Sequence, residues 1–283
     1  MTAYEPYGVR HFLRESDPEG VSELRRNEIP LLGGRTVEKG FSVDTDRIDP
    51  VALGFYRTLV LRRSPAQSRP PSPYRLIWQG EFYEAWQRPA AAAAIPERLP
   101  LSDRYDPIAE PDCAEIAALA RSGDLVAARG IGPVIVPLSA TRYPTGWAPP
   151  GTRYAPTPTS AGSIEVPVRV GRSDTYEIWI GGSLRPAVEV FVDGELAGET
   201  RHELNNAGGY VRLGSALLDP GVHRIEVQIG GADLHPGSGG AQGPIGPLVL
   251  SAGEAADTEL VRVAAANYRE LCRRDWDWVE VAG

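Results

Sequence analysis

From residue 163 onward, apolar side chains recur at every second position. "SIEVPVRV" (163–170), "TYEIWIGG" (175–182) and "AVEVFVDG" (187–194) alternate in this way, the signature of strands with one buried face. "ELAGET", "GYVRLG", "GVHRIEVQIG", "GPLVLSA" and "DWVEVA" follow in the same style, separated by Gly, Asp-Gly and Asp-Pro-Gly. Asp193-Gly194 suits a two-residue hairpin turn, since both positions accept positive φ. Eight short alternating strands with turns between them predict an all-β jelly-roll sandwich.

The earlier part alternates between types. "GVRHFLRES" (8–16) and "DPEGVSELRR" (17–26) have helical spacing, and "DPVALGFYR" (49–57) opens a helix with an Asp cap and a Pro in the first turn. "TLVLRR" (58–63) reads as a buried strand. "SPAQSRPPSP" (64–73) is too proline-rich for helix or sheet. Residues 74–88 read as an aromatic hairpin around Gln79-Gly80, and residues 90–110 as a Pro/Ala-rich connector. "PDCAEIAALARSG" predicts a helix over 111–121, followed by strands "DLVAAR" and "PVIVPL". The expected organisation is therefore an α+β domain over 1–106 and a jelly-roll over 107–283 that carries the helix at its start.

Charge narrows the partners. Residues 1–106 hold 15 acidic and 15 basic side chains, whereas 107–283 hold 22 acidic and 14 basic, so the second part carries the whole net charge of −8. Such a balance repels phosphate backbones and argues against nucleic acid. No apolar run approaches the length of a membrane helix. The opening "MTAYEPYGVRHF" enters strand-like sequence at once, which reads as a fragment of a longer protein. Cys113 and Cys272 are the only cysteines, too few for a zinc cage; two reduced thiols and one disulfide both fit the sequence.

The order "YEIWIGGS", "VEVFVDG", "GGYVRLG", "LDPGVHRIEV" and the closing "DWV" resembles the galactose-binding-like sandwich of non-catalytic carbohydrate-binding modules, over 163–283. A looser resemblance covers the whole chain. "YRLIWQGEFYEAWQRP", "PDCAEIAALA" and "LCRRDWDWVEV" are similar to the soluble C-terminal region of actinobacterial multi-spanning, glycosyltransferase-like membrane proteins. That likeness implies an extracytoplasmic location, tethering through an absent membrane portion, and a Cys113–Cys272 disulfide from the helix to the final strand.

Sugar recognition needs flat apolar faces and planar polar groups. In the resembling modules ligand contacts the loop before the "GGY" strand and a second loop near the end of the sandwich. Here the first offers Arg201, His202, Asn205, Asn206 and Tyr210, and the second offers Asp233 and His235. Asp277 matches a position that holds a structural calcium in some of those modules, with Glu165 as its only evident partner. No other cofactor is implied. No nucleophile elbow, metalloprotease helix or phosphate loop occurs.

These features point to a non-catalytic, extracytoplasmic region that binds an oligosaccharide or cell-wall polysaccharide for the membrane-embedded part of its parent. The alternatives are a structural or interaction domain with no small ligand and, third, a hydrolase built on two converging carboxylates.

Overall fold

The computed structural model describes residues 27–38, 41, 43–91, 97–102, 108–130, 132–138, 141–148, 156–203, 205, 208–234, 236, 238–239, 242–252 and 259–283, together with positions 11, 14, 15 and 20. The helices expected before residue 27 fall, apart from those four positions, outside the described residues. The chain forms two units, residues 1–131 with 254–283, and residues 132–253.

The first unit holds two antiparallel sheets. Strands β1 (Thr58–Arg62), β2 (Arg75–Gln79) and β3 (Tyr83–Gln87) lie in the order β1-β3-β2. Its second sheet orders β14 (Glu259–Val263), β5 (Leu125–Arg129), β15 (Trp278–Val281) and β4 (Arg98–Pro100). Helix α1 (Pro50–Gly54) begins as predicted, with the Asp49 carboxylate accepting from the amides of Val51 and Ala52. Helix α2 (Cys113–Leu119) is shorter than expected, because Asp112 is its cap and Pro111 precedes the cap. Cys113 is joined to Cys272 across a sequence separation of 159. Leu59, Leu61, Tyr74 and Trp86 pack with Ile29, Ile48 and Leu53 beneath the three-stranded sheet.

The second unit is an antiparallel jelly-roll sandwich. One sheet orders β10 (Glu195–Glu203), β9 (Leu184–Val192), β12 (Gly221–Ile229) and β7 (Gly162–Val170); the other orders β11 (Tyr210–Leu218), β8 (Asp174–Gly181), β13 (Leu248–Ala252) and β6 (Val134–Val136). Valines and isoleucines on the inward positions of β7, β9 and β12 form the core with Ile178, Ile180, Leu248 and Leu250. Asp193 and Gly194 take φ of 53° and 91°, the expected hairpin turn between β9 and β10. The edge strands β10 and β11 meet backbone to backbone at two glycines. A Cβ at Gly214 would lie 2.4 Å from the Ala197 carbonyl oxygen, and one at Gly198 2.3 Å from that of Leu213.

The division differs from the one expected at residue 106. Helix α2 and the terminal strand β15 belong to the first unit, and β6 supplies the eighth sandwich strand. The reason is steric. Trp278 pairs with Ala128 and Val279 with Ala127, so the small residues of β5 leave room for a strand buried on both faces. Trp276 and Trp278 enter different clusters, with Trp276 beside Ile116 and Leu271, and Trp278 beside Val126. Trp147 is buried in the sandwich core and donates to the Ser160 carbonyl.

Candidate functional site

The predicted end loop is mostly self-satisfied. Tyr210, expected as a stacking platform, is only 3% exposed at the start of β11. The Asn205 side-chain amide donates to the carbonyls of Gly182 and Tyr210, at 3.0 Å each, and its backbone N–H donates to Ser183 Oγ at 2.9 Å. Asn205 therefore locks two loops together and does not face outward for ligand. Arg201 is exposed and ion-paired with Glu199. The Asp233 backbone is clipped at both N–H and carbonyl by Ser238 Oγ. His202 lies on β10, with only its backbone described; Asn206 and His235 lie outside the described residues.

The calcium pair is divided between units. Glu165 sits on the outer face of β7, 3.5 Å from Arg224. Asp277 belongs to the first unit, where it is buried and accepts from the Arg69 amide at 2.7 Å. Among the described residues, no group of three or more His, Cys, Asp or Glu side chains is placed to hold a metal ion.

Asp277 instead belongs to a buried cluster that clamps the proline-rich segment 64–73. That segment cannot join a sheet, so its amides need other acceptors. Asp44 accepts from the Ser68 amide at 2.8 Å, Asp277 from Arg69, and Glu280 from Ser72 at 2.9 Å. Trp278 Nε1 and Arg98 donate to the Arg69 carbonyl, while the Arg69 guanidinium reaches the carbonyls of Pro70, Pro71 and Tyr74. Burial, followed by the neighbouring Asp46 charge, raises the Asp44 carboxyl to about 7. Burial also pushes Asp277 well above, and Glu280 above, the usual carboxylate range. These raised acids face loop amides. A glycoside hydrolase pair would face an open cleft.

The sandwich carries an open depression of about 550 Å³ on the outer face of the β10-β9-β12-β7 sheet. Ala161, Gly162, Ala187, Ile229 and Gly230 give it a lining of small and apolar residues, and Ser163, Glu189 and Gln228 are its polar groups. Sheet register brings these together, because Gln228 lies opposite Glu189 on one side and Ser163 on the other. The floor is set by close contact. Gly230 N–H donates to the Ala187 carbonyl at 2.8 Å, and a Cβ at Gly230 would come within 3.1 Å of that oxygen.

Gln228 donates to Glu226 at 3.1 Å, which fixes its amide. Among the described residues, the Glu189 carboxylate has no hydrogen-bond or ion-pair partner and is available to accept. Glu165, Glu199 and Glu226 occupy further positions on this face, opposed by Arg201 and Arg224. At the far end, His223 bonds Asp193 at 2.7 Å and the Asp219 carbonyl at 2.8 Å, clasping the hairpin turn to β12. Those two bonds raise the His223 pKa, the Asp219 contact first.

Sequence reasoning passed over Ser163, Glu189 and Gln228. Their signal was present as outward positions in "SIEVPV", "AVEVFV" and "RIEVQI", but alternation alone does not say which strands are neighbours.

No family model matches the chain, and no curated protein matches it. Among solved structures, a CBM36-1 domain of a multidomain xylanase from the hindgut metagenome of Trinervitermes trinervoides is 13% identical, with TM-score 0.33, covering 43% of this chain and 98% of that one. A family 35 carbohydrate-binding module from Clostridium thermocellum is 17% identical, with TM-score 0.29, covering 42% and 95%. The GH26-CBM35 β-(1,4)-mannanase of Podospora anserina is 14% identical, with TM-score 0.31; the match spans 43% of this chain and 28% of the mannanase chain.

Proposed function

We propose that the sandwich is a non-catalytic carbohydrate-binding domain that holds a neutral oligosaccharide in the outer-face depression. The observation that carries this reading is the unpartnered Glu189 carboxylate, set between a floor of small residues and the side chains of Ser163 and Gln228. Sugar hydroxyls supply donors to that carboxylate, and the flat Gly/Ala floor admits the C–H face of a ring. The surrounding glutamates select against anionic glycans. In the fuller proposal the chain is extracytoplasmic and presents cell-wall glycan to a membrane-embedded glycosyltransferase of the same parent. The Cys113–Cys272 disulfide supports an oxidising compartment.

A second reading, a scaffold that binds nothing small, draws support from the end loops, whose Asn205 and Ser183 bond to each other.

Calorimetric titration with arabinan, galactan and mannan oligosaccharides decides between them. Binding to at least one, weakened about tenfold or more in Glu189→Gln, is expected for the loss of a charge-assisted hydrogen bond. Failure of wild type to bind any of them, or Glu189→Gln behaving as wild type, removes the depression as the site.

A further inference from the structure

We propose that the outer face of the β1-β3-β2 sheet is a second glycan surface, built for acidic polysaccharide, with Trp78 as its stacking platform and Arg62 and Arg75 as its anion contacts. The inference does not rest on the sandwich site, which lies in the other unit.

Register defines the surface. Leu59, Leu61, Glu84 and Trp86 point inward and are buried. The alternate positions face outward in three rows: Arg75–Gln87–Thr58, Trp78–Ala85–Val60 and Tyr83–Arg62. A shift between Leu76 and Trp78 places Trp78 opposite Ala85. Of the six tryptophans, Trp78 alone is exposed, at 55%. Gly80 holds its ring in place. A Cβ there would lie 2.6 Å from the indole, so the absence of a side chain lets the ring lie against the backbone.

Charge identifies the occupant. None of the eight outward positions carries an acid. Glu84 points inward and accepts from Trp86 Nε1 at 2.7 Å, and Glu81 sits in the hairpin turn. Arg75 and Arg62 stand at opposite corners, about 17 Å apart by strand geometry, the reach of a short oligosaccharide. Gln87 donates to Thr58 at 3.1 Å, which fixes a planar amide beside the ring. A lipid surface calls for a continuous apolar wedge. Here Arg75, Gln87, Thr58 and Arg62 interleave with Ile77, Trp78, Ala85, Val60 and Tyr83, with Phe82 exposed at the hairpin turn. An aromatic ring among planar polar groups and two guanidiniums suits a sugar chain bearing carboxylates.

The test uses the full chain, with polygalacturonate, alginate and hyaluronate as probes in affinity electrophoresis. Acrylamide quenching reads the exposed indole in parallel. The expected results are retardation by at least one probe, shielding of Trp78 from quencher, and loss of retardation when the probe's carboxylates are methyl-esterified. Trp78→Ala weakens binding about tenfold, Arg75→Gln weakens it about threefold and flattens its salt dependence, and Glu189→Gln leaves it unchanged. Arg75→Gln, an exposed surface change, keeps the test informative if Trp78→Ala misfolds.

Retardation by none of the probes overturns the proposal, as does unchanged retardation in both variants. Binding to phosphatidylglycerol vesicles without polysaccharide binding overturns it in favour of a lipid contact. Neutral-glycan binding that survives Trp78→Ala leaves the sandwich site standing whichever way this test falls.

Discussion

The molecule presents two open antiparallel sheet faces of opposite chemistry. The three-stranded sheet of the first unit offers an indole, a phenol and two guanidiniums, with no acid at its outward positions. The β10-β9-β12-β7 sheet offers a floor of glycine and alanine, an amide, a hydroxyl and several carboxylates. The backbone device is the same in both, a pleat with its inner row buried and its outer row in water. The outer row alone sets the chemistry that each face presents to solvent. Raised acids do not mark either face; Asp44, Asp277 and Glu280 lie beneath the proline-rich segment of the first unit as backbone acceptors, and Glu84 lies under the three-stranded sheet, bonded to Trp86.

The largest effect expected is on the first unit. Replacing Cys113 and Cys272 together by serine frees a loop of more than 150 residues and costs about 5 kcal/mol in chain entropy. Urea unfolding followed through Trp78 quenching should register that loss.

Gly214→Val attacks the sandwich where the edge strand β11 meets β10. The new side chain meets the Ala197 carbonyl, and about 4 kcal/mol of sandwich stability is lost with it. Hydrogen exchange in β7, β9 and β12 should accelerate, and neutral-glycan binding should fall while Trp78 keeps its exposure.

A pH series probes the buried acids of the first unit. Asp44 titrates near 7 when folded and near 3.8 when free, so between those values the folded chain holds a proton that the unfolded chain has released. Its stabilising contribution is complete below about pH 4 and is lost as pH rises through 7. Between pH 5 and pH 8 the first unit should lose stability, Asp277 and Glu280 contributing in the same direction, and Asp44→Asn should reduce that slope. A slope unchanged in Asp44→Asn assigns the proton elsewhere. The smallest effect expected is Ser163→Ala, which removes one neutral hydrogen bond to ligand, worth about 1 kcal/mol or a fivefold loss in neutral-glycan affinity.

Much of the fold was legible from local pattern. The Asp49 cap, the aromatic hairpin, the Asp193-Gly194 turn and the inward rows of β7 and β9 each follow from spacing or turn chemistry. Partnership between distant strands was not. "DWVEVA" alternates like its predecessors, and only the alanines of β5, some 150 residues earlier, give it a place in the first unit. The short "PVIVPL" run joined the sandwich for the equally nonlocal reason that it pairs with β13. Tyr210 was misleading because an aromatic at a strand start has the same sequence signature whether it fills a core or faces a ligand. Glu189 and Gln228 were visible as outward residues, but their meeting depends on β12 lying between β9 and β7.

The most direct test is an amide chemical-shift map of the full chain, titrated with whichever neutral oligosaccharide binds. Perturbations concentrated at Ser163, Ala187, Glu189, Gln228 and Gly230 are the outcome expected of an outer-face site. Perturbations confined to residues 201–210 and 230–246 would return the ligand to the end loops and contradict it.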